Sequence, residues 1–482
     1  MGNSKDNPMS RVIAMSPMPA EKSAYALARY SRSADSIVES LEWVRTHNSQ
    51  KFLESFYFQY GHASIADLGH LGICWEGVSE LAATEIEDEQ LWDGQAKSTR
   101  YQDFSKLGFV TPPDLSTSDA RRYQEAGRAL LAAYEQLHAL KFAELTASLP
   151  RPADMKPDAY ERNLKARAFD VARYVLFFGI PTNVGQVTSI RTLEKQIRRL
   201  KASEFAEIRE VAGEAAAAVA APPGCVWDAS VGEPVAPTLA KYVDPEQHGP
   251  AAHRDLSLWA AQNLPAAAVS SCDAASVTLD CPRTPMADIV ASLLYPVTTR
   301  PYRELYVWAE ATSQAVRNEV IGVALGSRGR YDELLKQFRG GPYVFDIVMD
   351  IGAYRDLHRH RRCVQLRQAY TGELGYSVPG SFTAGPLRDI YRAAMDEALR
   401  VYRSLPQPAA QYLLPFGAHS RFLFKMDFAE VEYISRLRSG VKGHFSYREI
   451  AWKMKEELGR VEPDLAALIA ATPPWEEDPL TR

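Results

Sequence analysis

Tyr123, Leu130, Tyr134 and Leu137 recur at helical spacing behind Ser118 and Asp119, two good capping residues, and predict a long helix there. A second stripe, Tyr391, Met395, Ala398, Tyr402 and Leu405, predicts another, with Pro386 well placed at its first turn. Downstream of each stripe stands a similar apolar phrase. Ala172-Arg-Tyr-Val-Leu-Phe-Phe-Gly179 resembles Ala410-Gln-Tyr-Leu-Leu-Pro-Phe-Gly417 at an offset of 238 positions, and the segments that follow, to Arg198 and Arg436, keep that offset and rhythm. A repeat of this kind reads as two copies of one unit.

Breakers mark the join. Pro222-Pro223-Gly224 leads into a stretch that contains Pro234, Pro237, Pro245 and Gly249-Pro250. The expected organisation is a loose terminus over 1–24, a first domain over 25–224, a linker over 225–263 and a second domain over 264–482. Tandem copies are expected to pack as a pseudo-dimer, by analogy with symmetric oligomers. The Pro- and charge-rich segment Leu149 to Asn163 is expected to be a surface loop.

A formal charge of −5 and a pI near 6.1 argue against binding a nucleic acid polymer, though not against a local basic pocket for a small phosphate. No apolar run approaches the length of about 18 residues that a membrane span needs. Met1 to Pro19 lacks the apolar core of a signal peptide, and Asp6 stands where a myristoylation motif following Gly2 wants Ser or Thr. Five scattered cysteines without zinc spacing read as free thiols in a reducing cytoplasm.

Three clusters carry candidate chemistry. Arg359-His360-Arg361 closes a helix predicted from about Asp350. Such side chains fan around a helix end and suit a phosphate or an anionic ring edge, as they also suit a solvated basic face. A metal reading fails, because His358 and His360 are two apart and point to different sides. Ser98-Thr99-Arg100-Tyr101 sets a hydroxyl two residues before an arginine, which suits a phosphate or imide edge, or simple loop capping. Asp427 and Arg438 are eleven apart and share a helix face, with Phe428, Val431, Ile434 and Leu437 as the expected buried stripe. Arg436 and Arg438 cannot both lie at the centre of the exposed side, so one turns toward a cavity or both make surface ion pairs.

These residues resemble the flavin-dependent thymidylate synthase (ThyX) family. That family carries Arg-His-Arg, seven residues, then Ser closely followed by Arg and Tyr. Here Gly61-His62-Ala63-Ser64-Ile65 and Gly77-Val78-Ser79 look like its upstream pieces, Arg359-His360-Arg361 like its signature, Ser98-Thr99-Arg100-Tyr101 like the end of that signature, and Glu207-Ile208-Arg209 like the close of its downstream helix. The resemblance covers roughly 25–215 and 270–460. It implies an α+β fold with two tandem ThyX-like domains, each a mixed or antiparallel sheet with long packed helices.

The departures are complementary. In the first half, Asp88, Glu89 and Gln90 stand where Arg-His-Arg belongs; in the second, Ala369 and Thr371 replace the Ser and Arg. Asp427 replaces an Asn of the family and Arg438 keeps its Arg; the first-half counterparts at the 238 offset are Ser189 and Leu200, where a one-residue slip would bring in Arg199. Because the family's sites lie between protomers of a homotetramer, the resemblance implies one composite site per pair of halves. Arg359, His360 and Arg361, with Asp427 and His62, are candidates for FAD, and Ser98, Arg100 and Arg438 for a pyrimidine nucleotide and its phosphate. Arg100 and Arg438 are the candidate catalytic arginines.

The implied chemistry is one-carbon transfer from methylenetetrahydrofolate to C5 of dUMP, with FAD as cofactor, NADPH as reductant, no cysteine nucleophile and no metal. Asp427 would set a carboxylate where an amide usually faces the flavin. Three classes stay open: this enzyme, an enzyme of the same logic with another acceptor such as a modified pyrimidine of secondary metabolism, and a non-catalytic scaffold. A homodimer would give a four-domain assembly.

Overall fold

The structure is a computed structural model and describes residues 18–30, 37–50, 63–100, 103–224, 232, 234–265, 274–329, 335–382, 384–478 and 480. One unit occurs twice. In the first half β1 (His70–Ser79) runs into the helix Glu80–Glu87 and returns as β2 (Trp92–Ala96). The long helix Thr117–Ser148 follows, then β3 (Pro181–Ser189) and the helices Ile190–Lys201 and Ala206–Ala220. After β4 (Ser276–Asp280), the second half repeats the series: β5 (Tyr343–Asp350), helix Ile351–Leu357, β6 (Val364–Arg367), helix Pro386–Ser404, β7 (His419–Met426), and helices Phe428–Arg438 and Phe445–Val461. The strand orders are β1-β3-β2 and β4-β5-β7-β6, and every pair is antiparallel.

Capping chemistry explains where the repeated helices start. Ser79 caps Glu80–Glu87 through Ala82 N–H, and Asp350 caps Ile351–Leu357 through Ala353 N–H. Gly77, at φ +67 beside the irregularity in β1, makes the bend that lets Ser79 reach that position. The long first-half helix begins two residues earlier than its sequence suggests. Ser116 is the cap, and Asp119, three residues on, bonds back to the Ser116 hydroxyl. Pro386 does occupy the first turn of its helix.

The halves join about a local pseudo-two-fold. Phe178 N–H donates to Leu414 O at 3.1 Å and Phe416 N–H to Leu176 O at 2.6 Å; Gly179 N–H donates to Tyr412 O and Gly417 N–H to Tyr174 O, both at 2.8 Å. Each pair is the other shifted by 238 positions, which is the reciprocity of an isologous interface. The two phrases the sequence repeats are therefore the seam itself, with the helices Thr117–Ser148 and Pro386–Ser404 packed across it.

The sheets differ in how they are covered. β1 buries Leu71, Trp75 and Val78 and leaves His70, Gly72, Cys74 and Glu76 exposed. β5 is buried along its whole length. Phe345, Ile347 and Met349 enter the main core, while Val344, with Leu366 and Leu423, packs on helices Pro285–Leu294, Tyr302–Ala311 and Gln314–Leu325. Within the expected linker, the structure has a sixteen-residue helix, His248–Asn263, whose Leu256 and Trp259 join that second cluster. The expected loop over 149–163 is shorter than predicted, because a helix starts at Pro157. No helix among the described residues is long and apolar enough to cross a membrane.

Candidate functional site

The signature follows the helix that Asp350 starts. Ile351–Leu357 ends at His358, and Arg359, His360 and Arg361 form the turn beyond it. They take different environments. The Arg359 side chain is exposed and makes no hydrogen bond or ion pair among the described residues. His360 is buried. Arg361 crosses to the first half, donating to Asp93 Oδ1 at 2.9 Å with its guanidinium 4.7 Å from the Trp92 ring centre.

Helix Phe428–Arg438 separates its two arginines as geometry requires. Arg436 pairs outward with Glu432 at 2.6 Å, and Arg438 turns inward to donate from Nε to His360 Nε2 at 2.7 Å. The other face of His360 meets Glu430, with Nδ1 at 3.3 Å from Oε1. Burial lowers the His360 pKa, and the nearby Arg438 and Arg361 act in the same direction against Glu430. Asp427 and Arg438 do not pair. Asp427 accepts the Glu430 N–H at 3.0 Å as the helix cap, the role that Ser189 plays 238 positions earlier for Thr192. Leu437, expected in the buried stripe, is 47% exposed, whereas Val431 and Ile434 are fully buried. The inward turn of Arg438 brings its neighbour Leu437 out to the surface.

Arg100 reaches the same neighbourhood from the first half. It donates from Nε to Asp170 Oδ1 at 2.8 Å, from Nη1 to the Tyr447 hydroxyl at 3.1 Å and from Nη2 to Lys442 O at 3.1 Å. Its guanidinium lies 5.9 Å from the centre of the Tyr447 ring, and that of Arg438 lies 5.7 Å from it. Asp356 completes the cluster. Burial would raise its carboxyl, but the guanidinium groups of Arg173, Arg359, Arg100 and Arg438 together hold it below the ordinary value. Of the residues expected in a composite set, the structure brings Arg359, Arg438 and Arg100 around Asp356 and bonds His360 to Arg438. Ser98 is half-buried and accepts the Arg100 N–H at 3.3 Å. His62 and Tyr101 lie outside the described residues.

The first-half counterpart has been rebuilt as a salt-bridge cluster. Shifting Arg359, His360 and Arg361 back by the 271 positions that separate Asp350 from Ser79 gives Asp88, Glu89 and Gln90. Asp88 pairs with Lys336 at 2.9 Å, Glu89 with Arg199 at 2.9 Å, and Gln90 accepts from Arg339 at 2.6 Å. The slipped residue Arg199, not Leu200, makes the contact, and Leu200 is buried. Against the effect of burial, Lys336, His358 and Arg199 hold Asp88 well below its usual range. A cavity of about 730 Å³ opens here. Asp88, Glu89, Arg199, Lys336 and Arg361 are among its lining residues, so Arg361 faces it from the second half. Cys363, also on its wall, is buried, which pushes its thiol up to about 12 and removes it as a nucleophile. Cys74 and Cys281 are free and exposed, and Cys225 and Cys272 lie outside the described residues.

Glu430, Asp356, Asp170 and Tyr447 are absent from the sequence reading. Only Glu430 carried a signal: it sits on the same helix as Arg438, a little over two turns earlier, so two long side chains can converge on one ring between them.

A family model described as "Thymidylate synthase complementing protein" matches residues 11–222 and 334–464, more than half of the chain and both copies of the repeated unit. A UPF0159 protein of Chlamydia muridarum is 26% identical over 426 residues, covering 84% of this chain and 77% of its own length. A flavin-dependent thymidylate synthase of Pyrococcus abyssi is 30% identical over 81 residues, 16% of this chain and 33% of its own. Among solved structures, a flavin-dependent thymidylate synthase from Helicobacter pylori, complexed with FAD and dUMP, aligns with a TM-score of 0.27 at 15% identity, over 42% of this chain and 89% of that one.

Proposed function

Because this chain belongs to the thymidylate synthase complementing protein family, we propose that it is a flavin-dependent enzyme transferring a one-carbon unit from methylenetetrahydrofolate to C5 of a pyrimidine nucleotide, with dUMP as the first candidate and NADPH as reductant. The observation that carries this reading is Arg438. Its Nε is held by a buried, uncharged imidazole, and its two terminal amino groups make no hydrogen bond among the described residues. Arg359 is likewise open, and both share the field of Asp356 with Arg100.

The residues present fit an FAD. The open guanidinium of Arg359 suits its phosphates, and the cavity walled in part by Arg361 is of ligand size. FAD, when bound, supplies the redox chemistry of the transfer. The chain supplies binding and charge. Arg359 and Arg361 engage the cofactor, as does His62 in the same reading. Arg438 engages the nucleotide and stabilises negative charge at the uracil edge as C5 becomes nucleophilic. Arg100 contributes its positive charge beside Tyr447, while Ser98 shapes its loop. Asp427 acts on the cofactor only through the helix it caps. The division at 225–263 and the pairing of two chains into a four-domain assembly belong to the same proposal, and light scattering on the purified protein tests the latter.

One observation favours a second acceptor. Arg100 already serves three protein acceptors, and Thr371 and Ala369 stand where the second half lost its own hydroxyl and guanidinium.

The first test is the visible absorbance spectrum of the purified protein, before and after adding FAD. A flavin spectrum that disappears in Arg359→Ala supports the reading. The absence of bound or titratable flavin moves the chain to a scaffold role. Rescue of a thymidine auxotroph then separates dUMP from another acceptor.

A further inference from the structure

The protons in the contact between Glu430, His360 and Arg438 follow by elimination. An arginine Nε carries a hydrogen and has no free lone pair to accept with, so His360 Nε2, 2.7 Å away, is the acceptor. A ring nitrogen that accepts is unprotonated. The proton of the neutral imidazole therefore sits on Nδ1, which faces Glu430 Oε1 at 3.3 Å. A doubly protonated ring would turn a second N–H toward the guanidinium and set two cations in contact. The His360 and Glu430 side chains are only 3% and 7% exposed, so water does not replace either contact. The Tyr433 ring stands edge-on to the imidazole at 5.7 Å and limits its rotation.

We propose that Glu430 is a positioning residue: by accepting the Nδ1 hydrogen of His360, it holds the imidazole so that Nε2 captures Arg438 Nε, leaving the two amino groups of that guanidinium open for a phosphate or imide oxyanion of the nucleotide. This rests on the reading of Arg438 as a ligand-binding arginine. The residue ends its helix, where a long side chain has many rotamers. Anchoring Nε during folding removes that freedom before the ligand arrives, and affinity rises by the ordering that binding no longer has to impose. Glu430 can hold the ring because it is on the same rigid helix as Arg438, so the two ends of the chain of contacts cannot drift apart.

The test uses the full chain and two probes, dUMP and FAD, titrated by calorimetry into wild type, Glu430→Ala, Glu430→Gln, Arg438→Ala and the double variant Glu430→Ala/Arg438→Ala. The expected result is a loss of about tenfold in Glu430→Ala for whichever probe Arg438→Ala weakens, the lower end of what removing the hydrogen-bond partner behind a metal-binding histidine costs. Glu430→Gln, whose amide oxygen still accepts from Nδ1–H, stays near wild type, and the double variant binds no worse than Arg438→Ala alone. Histidine ¹⁵N shifts give a readout that a purely structural glutamate does not predict: His360 carries its hydrogen on Nδ1 in wild type and loses that preference in Glu430→Ala. Wild-type affinity in Glu430→Ala while Arg438→Ala is weakened overturns the positioning role alone, as does an Nε2–H tautomer in wild type. No effect of Arg438→Ala on either probe sinks the ligand-binding reading of Arg438 and this role with it.

Discussion

Arg100 Nη1 donates to the hydroxyl of Tyr447 at 3.1 Å, joining residues that stand 347 positions apart and belong to different copies of the repeated unit. The Arg438 guanidinium shares the same tyrosine ring, so one side chain lies between the arginine the first half kept and the arginine the second half kept. Asp356 senses both of them, together with Arg359. Complementary loss in the two halves therefore has a spatial counterpart, because the retained residues converge.

Arg100 and Arg359 should fail in different ways. Asp170 is 4% exposed and pairs with Arg100, so Arg100→Ala removes one partner of a buried carboxylate and is expected to cost about 1–3 kcal/mol in urea unfolding. Arg359→Ala removes an exposed side chain and is expected to change stability by no more than about 0.5 kcal/mol. Both should weaken the same small-molecule ligand in calorimetry. An effect confined to one of the two would contradict a composite site.

Lys425 fastens the helical layer to the second sheet. Its fully buried ammonium donates to both oxygens of Asp288 at 2.8 Å and to Ser292 Oγ at 3.0 Å, and Tyr302 donates to Asp288 Oδ1 at 2.7 Å. Burial lowers the Lys425 pKa, and Asp288 opposes that. Asp288→Ala is expected to cost about 3–5 kcal/mol, and adding Lys425→Met to recover most of it, because the penalty is the unpaired charge rather than the lost pair. Denaturant midpoints of the four proteins measure this; simple additivity would refute it.

The seam glycines should not tolerate a side chain. A Cβ at Gly179 would come within 2.0 Å of the Tyr123 hydroxyl, and one at Gly417 within 2.5 Å of the Tyr391 hydroxyl. Gly179→Ala and Gly417→Ala are each expected to lose about 1–3 kcal/mol. Tyr123→Phe and Tyr391→Phe should each restore part of the loss in their own half and none in the other. Thermal melts of the paired variants check the assignment.

Acid should destabilise the chain through His444. This ring is fully buried; Nδ1 accepts from Ser446 N–H at 3.2 Å and Nε2 donates to Asp170 O at 2.8 Å. Burial, and then the nearby Arg173, Arg100 and Arg167, depress its pKa well below the usual value of 6.5. Above that value the ring is neutral in both states and contributes nothing to the pH dependence. As the pH falls below it, the unfolded chain takes up a proton that the folded chain refuses. Stability then declines by roughly 1 kcal/mol per pH unit until the folded value is reached. His444→Asn should flatten this decline in urea titrations between pH 7.5 and 5; parallel curves for the two proteins would exclude His444 as its source.

The sequence by itself determined the features whose causes are local. The stripes of Tyr123 to Leu137 and of Tyr391 to Leu405 became long packed helices because a periodic apolar face has one way to be buried. The repeated phrases ending at Gly179 and Gly417 marked the seam, and counting along the signature located both Arg359 to Arg361 and its replacement by Asp88, Glu89 and Gln90. Cap identity was read two residues out of place at Ser118, and the helix at Pro157 was read as loop, because short-range propensity blurs at element ends.

Only the tertiary structure decided what lies behind those residues. Spacing shows that Arg436 and Arg438 must diverge, but which of them turns inward depends on the presence of His360, 78 positions away. Asp427 could have faced a ligand or capped its helix, and the backbone settled it as the cap. Glu430, Asp356, Asp170 and Tyr447 gain their meaning from partners brought to them by the seam and by sheet packing. No local pattern encodes a contact between elements hundreds of residues apart. Such contacts exist only once the two copies have closed on each other and buried the same apolar phrases that made them recognisable.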